Sequence, residues 1–283
     1  MMKKASVAIG AAAFAALISA AISDNMLTVS EYRVGTGRLC APLRVTALSD
    51  LHTARFGRGN KRLIRAVAGT DPDMILLAGD FFDKTFDRTT CDAACSLIGD
   101  LSELAPVYFT PGNHDMRTDV EAGVNHKQLA QSAGAVYFDG GYIDRDLPQG
   151  KIRIGGIFDY GIYPEDYGEH WHGSAVYRFM RDFEDTDRVS ILILHRPNTL
   201  IYTRGQNDDW NIDAVISGHD HGGLWRLPFV GGLFCPEQGF FPEFTKGEYA
   251  INGTRMFLSS GLDGYYMVPR MFNPPEIMSL IFE

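Results

Sequence analysis

The sequence predicts an α/β domain, and three observations carry the prediction. Short apolar, β-rich runs alternate with segments of helical spacing; glycine or proline separates them; and the alternation continues from residue 43 to the end with no repeat or low-complexity linker. Strands are expected at 43–48, 74–77, 107–110, 152–158, 190–194, 214–216, 256–258 and 277–282. The run at 107–110, for instance, is Val-Tyr-Phe-Thr held between Pro106 and Pro111. Helices are expected after Asn60, where Leu63, Ile64 and Val67 share a helical face, after Thr89, and over 127–133. Residues 160–187 are rich in aromatics and acids and read as a lid or peripheral insertion. Within it, Trp171 between His170 and His172 reads as a surface segment with a buried Trp, ahead of a substrate-contacting patch.

Composition bounds the function. At 283 residues and 45% hydrophobic, the chain can bury a large core but has little room for a second catalytic domain. A formal charge of −9 opposes broad attraction to polyanions, so nucleic acid is not an expected partner. Cys40, Cys91, Cys95 and Cys235 lack the paired spacing of a structural zinc site. Cys91 and Cys95 fall on a helical stripe with Ala94, Ile98 and Leu101 and read as small hydrophobes, while a Cys40 to Cys235 bridge stays open. The chain is expected to act as a monomer.

The amino terminus carries targeting information. Lys3 and Lys4 precede an uncharged run over 5–23, about the ~20 residues that span a bilayer, and charge returns at Asp24. Residues 1–24 are therefore expected to form a hydrophobic helix that anchors the chain, or a signal segment cleaved near Ser19-Ala20-Ala21. Either way the lysines place the remainder of the chain on the far side of the membrane. Residues 25–42 read as a linker and 43–283 as the catalytic domain.

The chemistry lies where the strands stop. Five apolar runs end at or beside Asp50-Leu51-His52, Gly79-Asp80, Gly112-Asn113-His114-Asp115, His195, and Gly218-His219-Asp220-His221. Strand carboxyl ends converge on one edge of an α/β sheet, so these blocks can meet there. A pair of divalent ions needs imidazole nitrogens and carboxylate oxygens, with one carboxylate shared. Of the eight histidines only His126, His170 and His172 fall outside the blocks, a concentration that core packing does not explain. Glycines belong there because a chain bending past an ion and a phosphate has little space for a Cβ.

In this order the blocks resemble the calcineurin-like metallophosphoesterase superfamily, whose signature runs D-x-H, G-D, G-N-H-D/E, H, G-H-x-H. The resemblance covers 43–283. The text Gly222-Gly223, Arg226-Leu227-Pro228-Phe229, Phe240-Phe241-Pro242, Gly261-Leu262 and Pro275-Glu276-Ile277 is further similar to the bacterial YkuE/YaeI-like phosphodiesterases. The resemblance implies two central β-sheets flanked by helices and two divalent ions, manganese, zinc or iron. It implies that Asp50, His52, Asp80 and His221 hold one ion and Asp80, Asn113, His195 and His219 the other. A hydroxide bridging the ions would attack a phosphate ester in line; His114 would sit beside the leaving group and Asp115 would orient it. Here Asp220 and Leu224 depart from the G-H-T-H-G-G-Q text of those phosphodiesterases, and Asp220 is expected to partner a ligand histidine.

The functional expectation is hydrolysis of phosphodiesters or phosphomonoesters at the membrane or cell wall. Two rivals stand beside it. A lipid-linked pyrophosphatase of the UDP-diacylglucosamine type fits an anchored domain, although its cytoplasmic substrate conflicts with an external one. A non-catalytic metal-binding scaffold would be expected had His114 been lost. Asp83 reads as a turn acid. Phe56, Phe81 and Phe82 wall an apolar pocket or pack in the core, and Tyr265, Tyr266 and Met267 pack inside or meet lipid headgroups.

Overall fold

The computed structural model describes Ser23 and residues 26–83, 88–158, 171–204, 209–264 and 268–283. The hydrophobic run over 5–23 apart from Ser23, the segment with His170, and Tyr265, Tyr266 and Met267 lie outside the described residues. Among the described residues, no helix is long and apolar enough to cross a membrane.

Two six-stranded mixed sheets form the centre. The first contains β1 (Thr28–Val34), β2 (Leu43–Leu48), β3 (Met74–Ala78), β4 (Val107–Thr110), β5 (Val136–Tyr137) and the last strand, β16 (Glu276–Phe282), in the order β1-β16-β2-β3-β4-β5. The second contains β6 (Gly141–Leu147), β7 (Gly150–Gly156), β8 (Val189–Ile193), β9 (Ala214–Ser217), β14 (Gly247–Ile251) and β15 (Thr254–Leu258), in the order β14-β15-β9-β8-β7-β6. Two short hairpins, β10 (Arg226–Leu227) with β11 (Gly231–Gly232) and β12 (Phe234–Cys235) with β13 (Gly239–Phe240), come after β9.

Period-two alternation assigns each strand to two cores. In β3, Met74, Leu76 and Ala78 face the second sheet, where they meet Ile152, Ile191 and Ile216. Ile75 and Leu77 face the helices α1 (Lys61–Ala68) and α2 (Arg88–Ser102), packing with Leu63, Val67 and Ile98. The short α3 (Asn113–Ala122) and α4 (His126–Ser132) come after β4. On the outer face of the second sheet, α5 (Ala175–Glu184) buries Val176, Met180 and Phe183 beside Trp171 and Leu200, the latter from α6 (Asn198–Tyr202). Strands buried on both faces read as continuous apolar runs, which is why the sequence locates them to within two residues.

Two expectations are corrected, and two open alternatives are decided. Residues 28–34 are not linker: they form β1, an edge strand parallel to β16, with Val29, Glu31 and Arg33 turned to solvent. That alternation leaves no apolar run to notice, and the same holds for β6, reading Gly-Tyr-Ile-Asp-Arg-Asp-Leu. Within 160–187, residues 175–184 are a packed layer helix; only 159–170 lie outside the described residues. Cys40 is exposed, Cys235 is buried, and neither is disulfide-bonded. Phe81 and Phe82 are fully buried with their rings edge-on to Phe109, so they are core rather than pocket wall. Trp171 is buried, as expected.

Candidate metal centre

β2, β3, β4, β8 and β9 are held in parallel within their sheets, and the metal-competent residues lie just past their carboxyl ends. The turns there are tight. Asp50, His52, Asp80, His219 and His221 all adopt positive φ, between 42° and 75°, a conformation that costs a side-chain-bearing residue of order 1–3 kcal/mol. Close packing explains the adjoining glycines. A Cβ on Gly112 would lie 2.2 Å from Asp80 Oδ1, and one on Gly79 2.4 Å from His195 Nδ1.

The side chains gather about Asp80, which is almost wholly buried. Its Oδ2 lies 3.3 Å from His195 Nε2 and 3.7 Å from His52 Nε2, so one oxygen faces two imidazoles from different sheets. Its Oδ1 accepts the His114 N–H at 2.7 Å. Asp50 Oδ1 lies 3.7 Å from His221 Nε2 and accepts the His219 N–H at 3.0 Å. Two separate sets result, Asp50 with His52 and His221, and Asp80 with His195 and His219, each close enough to share one ion. His52, Asp80 and His114 form a third such set between them.

In three of these imidazoles the other nitrogen is spoken for. His195 Nδ1 bonds Ala78 O at 2.7 Å, His221 Nδ1 bonds Asp263 O at 3.1 Å, and His52 Nδ1 bonds Asp83 Oδ2 at 3.2 Å. A ring that donates from Nδ1 presents a lone pair at Nε2, the arrangement metal-binding histidines use. His52 Nε2, His195 Nε2 and Asn113 Oδ1 are buried and have no hydrogen-bond partner among the described residues. Buried polar atoms left this way are costly unless something else satisfies them. The donor set of imidazole, carboxylate and amide oxygen suits a divalent first-row ion, so the residues fit the pair of ions that the sequence predicts.

Electrostatics agree. Burial opposes ionisation of Asp50 and Asp80, but His221 and His195 beside Asp50, and His195 and His52 beside Asp80, outweigh it and hold both carboxyls below the ordinary range. Burial likewise opposes protonation of His52, yet the Asp83 hydrogen bond and the charges of Asp80 and Asp50 raise it to about 9. His195 rises to about 10 against burial, through Asp80 and Asp50. His221 falls to about 4, through burial and despite Asp50. In the ion-free protein, His52 and His195 therefore carry protons that an incoming cation must displace. Protons compete below the raised values, so manganese affinity should climb steadily from about pH 6 to about pH 9, with protons released on binding. Calorimetry in two buffers of different ionisation enthalpy measures this; affinity flat across that range would contradict it.

Asp115 does not face the His114 ring. Its carboxylate accepts the N–H groups of Asp80, Phe82 and Gly112, each at 2.7 Å, and so ties the β3 turn to the start of α3. Burial and the Asp80 charge raise it to about 6. The acid beside the His114 ring is Asp83, with Oδ2 3.5 Å from Nδ1. Asp220 is also redirected. It accepts from Cys235 Sγ at 2.7 Å and Gln238 Nε2 at 2.9 Å, because the middle residue of His-Asp-His points away from the cluster that its neighbours enter.

The acid that partners a candidate ligand histidine here is one the sequence does not flag. Glu237, in the β12–β13 turn, meets His219 Nε2 at 3.0 Å and Arg196 at 2.5 Å, and accepts from Asn198. Burial would raise its pKa, but the His219 hydrogen bond and charge, Arg196 and Asn198 bring it to about 2. With Nε2 engaged, His219 has Nδ1 left for the cluster. Glu237→Gln should weaken binding of one manganese ion by about 10–100-fold and leave the other unchanged, read by calorimetric stoichiometry. Two unaltered affinities would remove Glu237 from the site.

Comparison with known proteins accords with this geometry. The family model for calcineurin-like phosphoesterases matches residues 43–223. The chain is 27% identical over 238 residues to the uncharacterized metallophosphoesterase YkuE of Bacillus subtilis, covering 83% of this chain and 77% of that protein. It is 25% identical over 244 residues to the phosphodiesterase YaeI of Escherichia coli, covering 85% and 82%. A third relative is the UDP-2,3-diacylglucosamine pyrophosphatase LpxG of Chlamydia muridarum, 24% identical over 278 residues, covering 83% and 82%. Two sheets that bring carboxylates and imidazoles to one edge, and a family match across the residues that supply them, lead to one conclusion: this chain belongs to the calcineurin-like phosphoesterases and is a metal-dependent phosphoester hydrolase.

Proposed function

We propose that the chain is a phosphodiesterase acting at a membrane surface, held by the run over 5–23 with its catalytic domain outside the cytoplasm and working as a monomer. The observation that carries the chemistry is Asp80 Oδ2 set between His52 Nε2 and His195 Nε2. Asp50, His52, Asp80 and His221 would hold one divalent ion and Asp80, Asn113, His195 and His219 the second. When bound, such ions make water acidic enough to ionise near neutral pH and withdraw charge from phosphoryl oxygens. The rest falls to the chain's own residues. Asp80 holds the His114 backbone through Oδ1, fixing where that ring sits. Asp83 lies within reach of both the His52 and His114 rings and orients the His114 imidazole, which would donate to a departing oxygen. Asp115 acts as a positioning residue for the turn carrying Asp80.

Similarity to the phosphodiesterase YaeI supports the phosphodiester choice. LpxG supports a pyrophosphatase reading, against which stands the external placement that Lys3 and Lys4 favour. Protein stripped of metal should be inactive on bis-p-nitrophenyl phosphate and recover with manganese. A comparison with p-nitrophenyl phosphate and a nucleotide-linked diacylglucosamine then separates the readings. Preference for the pyrophosphate would replace the phosphodiesterase assignment.

A further inference from the structure

The double hairpin that comes after the candidate ligand His221 carries side chains which neither the core nor the metal centre uses. Phe229 is fully exposed, Val230 and Phe241 are more than half exposed, and Phe240 is 72% exposed. Phe229 and Val230 form the tip between β10 and β11; Phe240 ends the second hairpin, where its ring meets Phe234 at 5.1 Å, and Phe241 N–H bonds back to Leu233 O. Four large apolar side chains thus stand exposed along one connected segment of two hairpins.

Two features of the fold say what meets it. First, the hairpins border the catalytic centre, because Glu237 between β12 and β13 contacts His219. Second, the chain enters the domain at the same edge. Thr28 N–H bonds Pro275 O, and residues 269–271 of that connection bind the hairpin through Trp225 Nε1 to Pro269 O and Arg226 N–H to Met271 O. Only residues 24–27 separate Thr28 from the apolar run over 5–23, a reach of at most about 18 Å when extended. Whatever surface holds that run is therefore close to the phenylalanines and to the mouth of the metal centre.

We infer that this edge rests on the lipid bilayer, with Phe229, Val230, Phe240 and Phe241 inserted among the headgroups, and that the substrate is an amphipathic phosphodiester presented from the membrane. The inference rests on the anchoring proposed above and adds an orientation to it. Phenylalanine tips suit the interfacial zone, and insertion by apolar area needs no basic patch, consistent with the acidic chain. A soluble substrate would gain nothing from such tips; one with acyl chains is brought to Asp80 and His114 without leaving the bilayer.

The structure supplies an internal reference for the test. Cys40 is exposed at the opposite edge, beside Pro148 and Gln149 where β7 begins. Full-length protein is placed in phosphatidylcholine vesicles and labelled with a fluorophore either at Cys40 or at Phe229→Cys in a Cys40→Ser background. Flotation reports whether the chain is anchored at all. Brominated lipids should quench the label at 229 and spare the label at 40. Protein that floats with equal quenching at both positions overturns the orientation alone, as it would if the 5–23 run folded over the phenylalanines. Protein that fails to float overturns the anchoring and the orientation together. As a second measurement, Phe229→Ser with Phe241→Ser should cut hydrolysis of vesicle-borne hexadecyl p-nitrophenyl phosphate about tenfold and spare soluble bis-p-nitrophenyl phosphate. Loss of both rates alike, or of neither, contradicts the inference.

Discussion

Asp80→Asn should lower kcat/KM on bis-p-nitrophenyl phosphate about 1,000-fold, about 4 kcal/mol of transition-state stabilisation, and leave the protein folded. The substitution keeps the side chain's shape and an oxygen able to accept the His114 N–H, and removes the negative charge. Charge is what the position supplies: Asp80 is buried against His52 and His195, and among the described residues no other carboxylate is paired with both rings in this way. An amide in its place would offer one weak oxygen where the proposed pair of ions would share an anion. Manganese stoichiometry measured by elemental analysis should accordingly fall from two toward one. Wild-type turnover with two ions retained would show that the bridge lies elsewhere, and the assignment of both ion sites would go with it.

His114→Ala should produce a loss of similar size by a different route, and the difference is measurable. His114 N–H is held by Asp80, its ring packs edge-on to His52 at 4.5 Å, and Asp83 faces Nδ1. In the proposed role this imidazole would donate a proton to a departing oxygen, a contribution worth about 100- to 10,000-fold when the leaving group is a poor one. Alkyl leaving groups need the proton; nitrophenolate, already a weak base, needs it less. The variant should therefore lose much more activity on alkyl phosphodiesters than on p-nitrophenyl esters, while binding its full complement of manganese. An equal loss on both ester classes would make His114 a structural residue, and a lost ion would make it a ligand.

Much of the site is legible in residue order. His52, His195, His219 and His221 sit at the ends of apolar runs, and a strand end is a place where topology, not local packing, sets the company a side chain keeps. Asp50 and Asp80 are legible for the same reason, and both fall within groups that could hold an ion. What escapes is everything that depends on which way a turn residue points. Asp115 and Asp220 are adjacent to the key histidines in sequence yet serve backbone amides, a thiol and a side-chain amide. Asp83, three residues past Asp80, and Glu237, eighteen past His219, are the acids beside the rings. No periodicity marks such residues, because their partners are brought to them by other elements.

The fold shows the same division. β3 and β8, buried on both faces, announce themselves as unbroken apolar text, since every side chain must be apolar to be covered. β1, β6 and α5 do not: each has one face in water, and half of its residues carry no burial signal.

Residue order alone thus indicated an α/β domain, a gathering of candidate metal-binding side chains at strand ends and an acidic, core-rich character, because strand burial and strand ends write themselves into composition; the two-sheet hydrolase was what the family resemblance implied. Only the folded arrangement decided which carboxylates steady which imidazoles, that residues 28–34 close one sheet edge, and that the exposed phenylalanines share an edge with the chain's point of entry. Those are contacts between segments up to about 250 positions apart, and pairings at that separation are set by the crossing of sheets rather than by any local pattern.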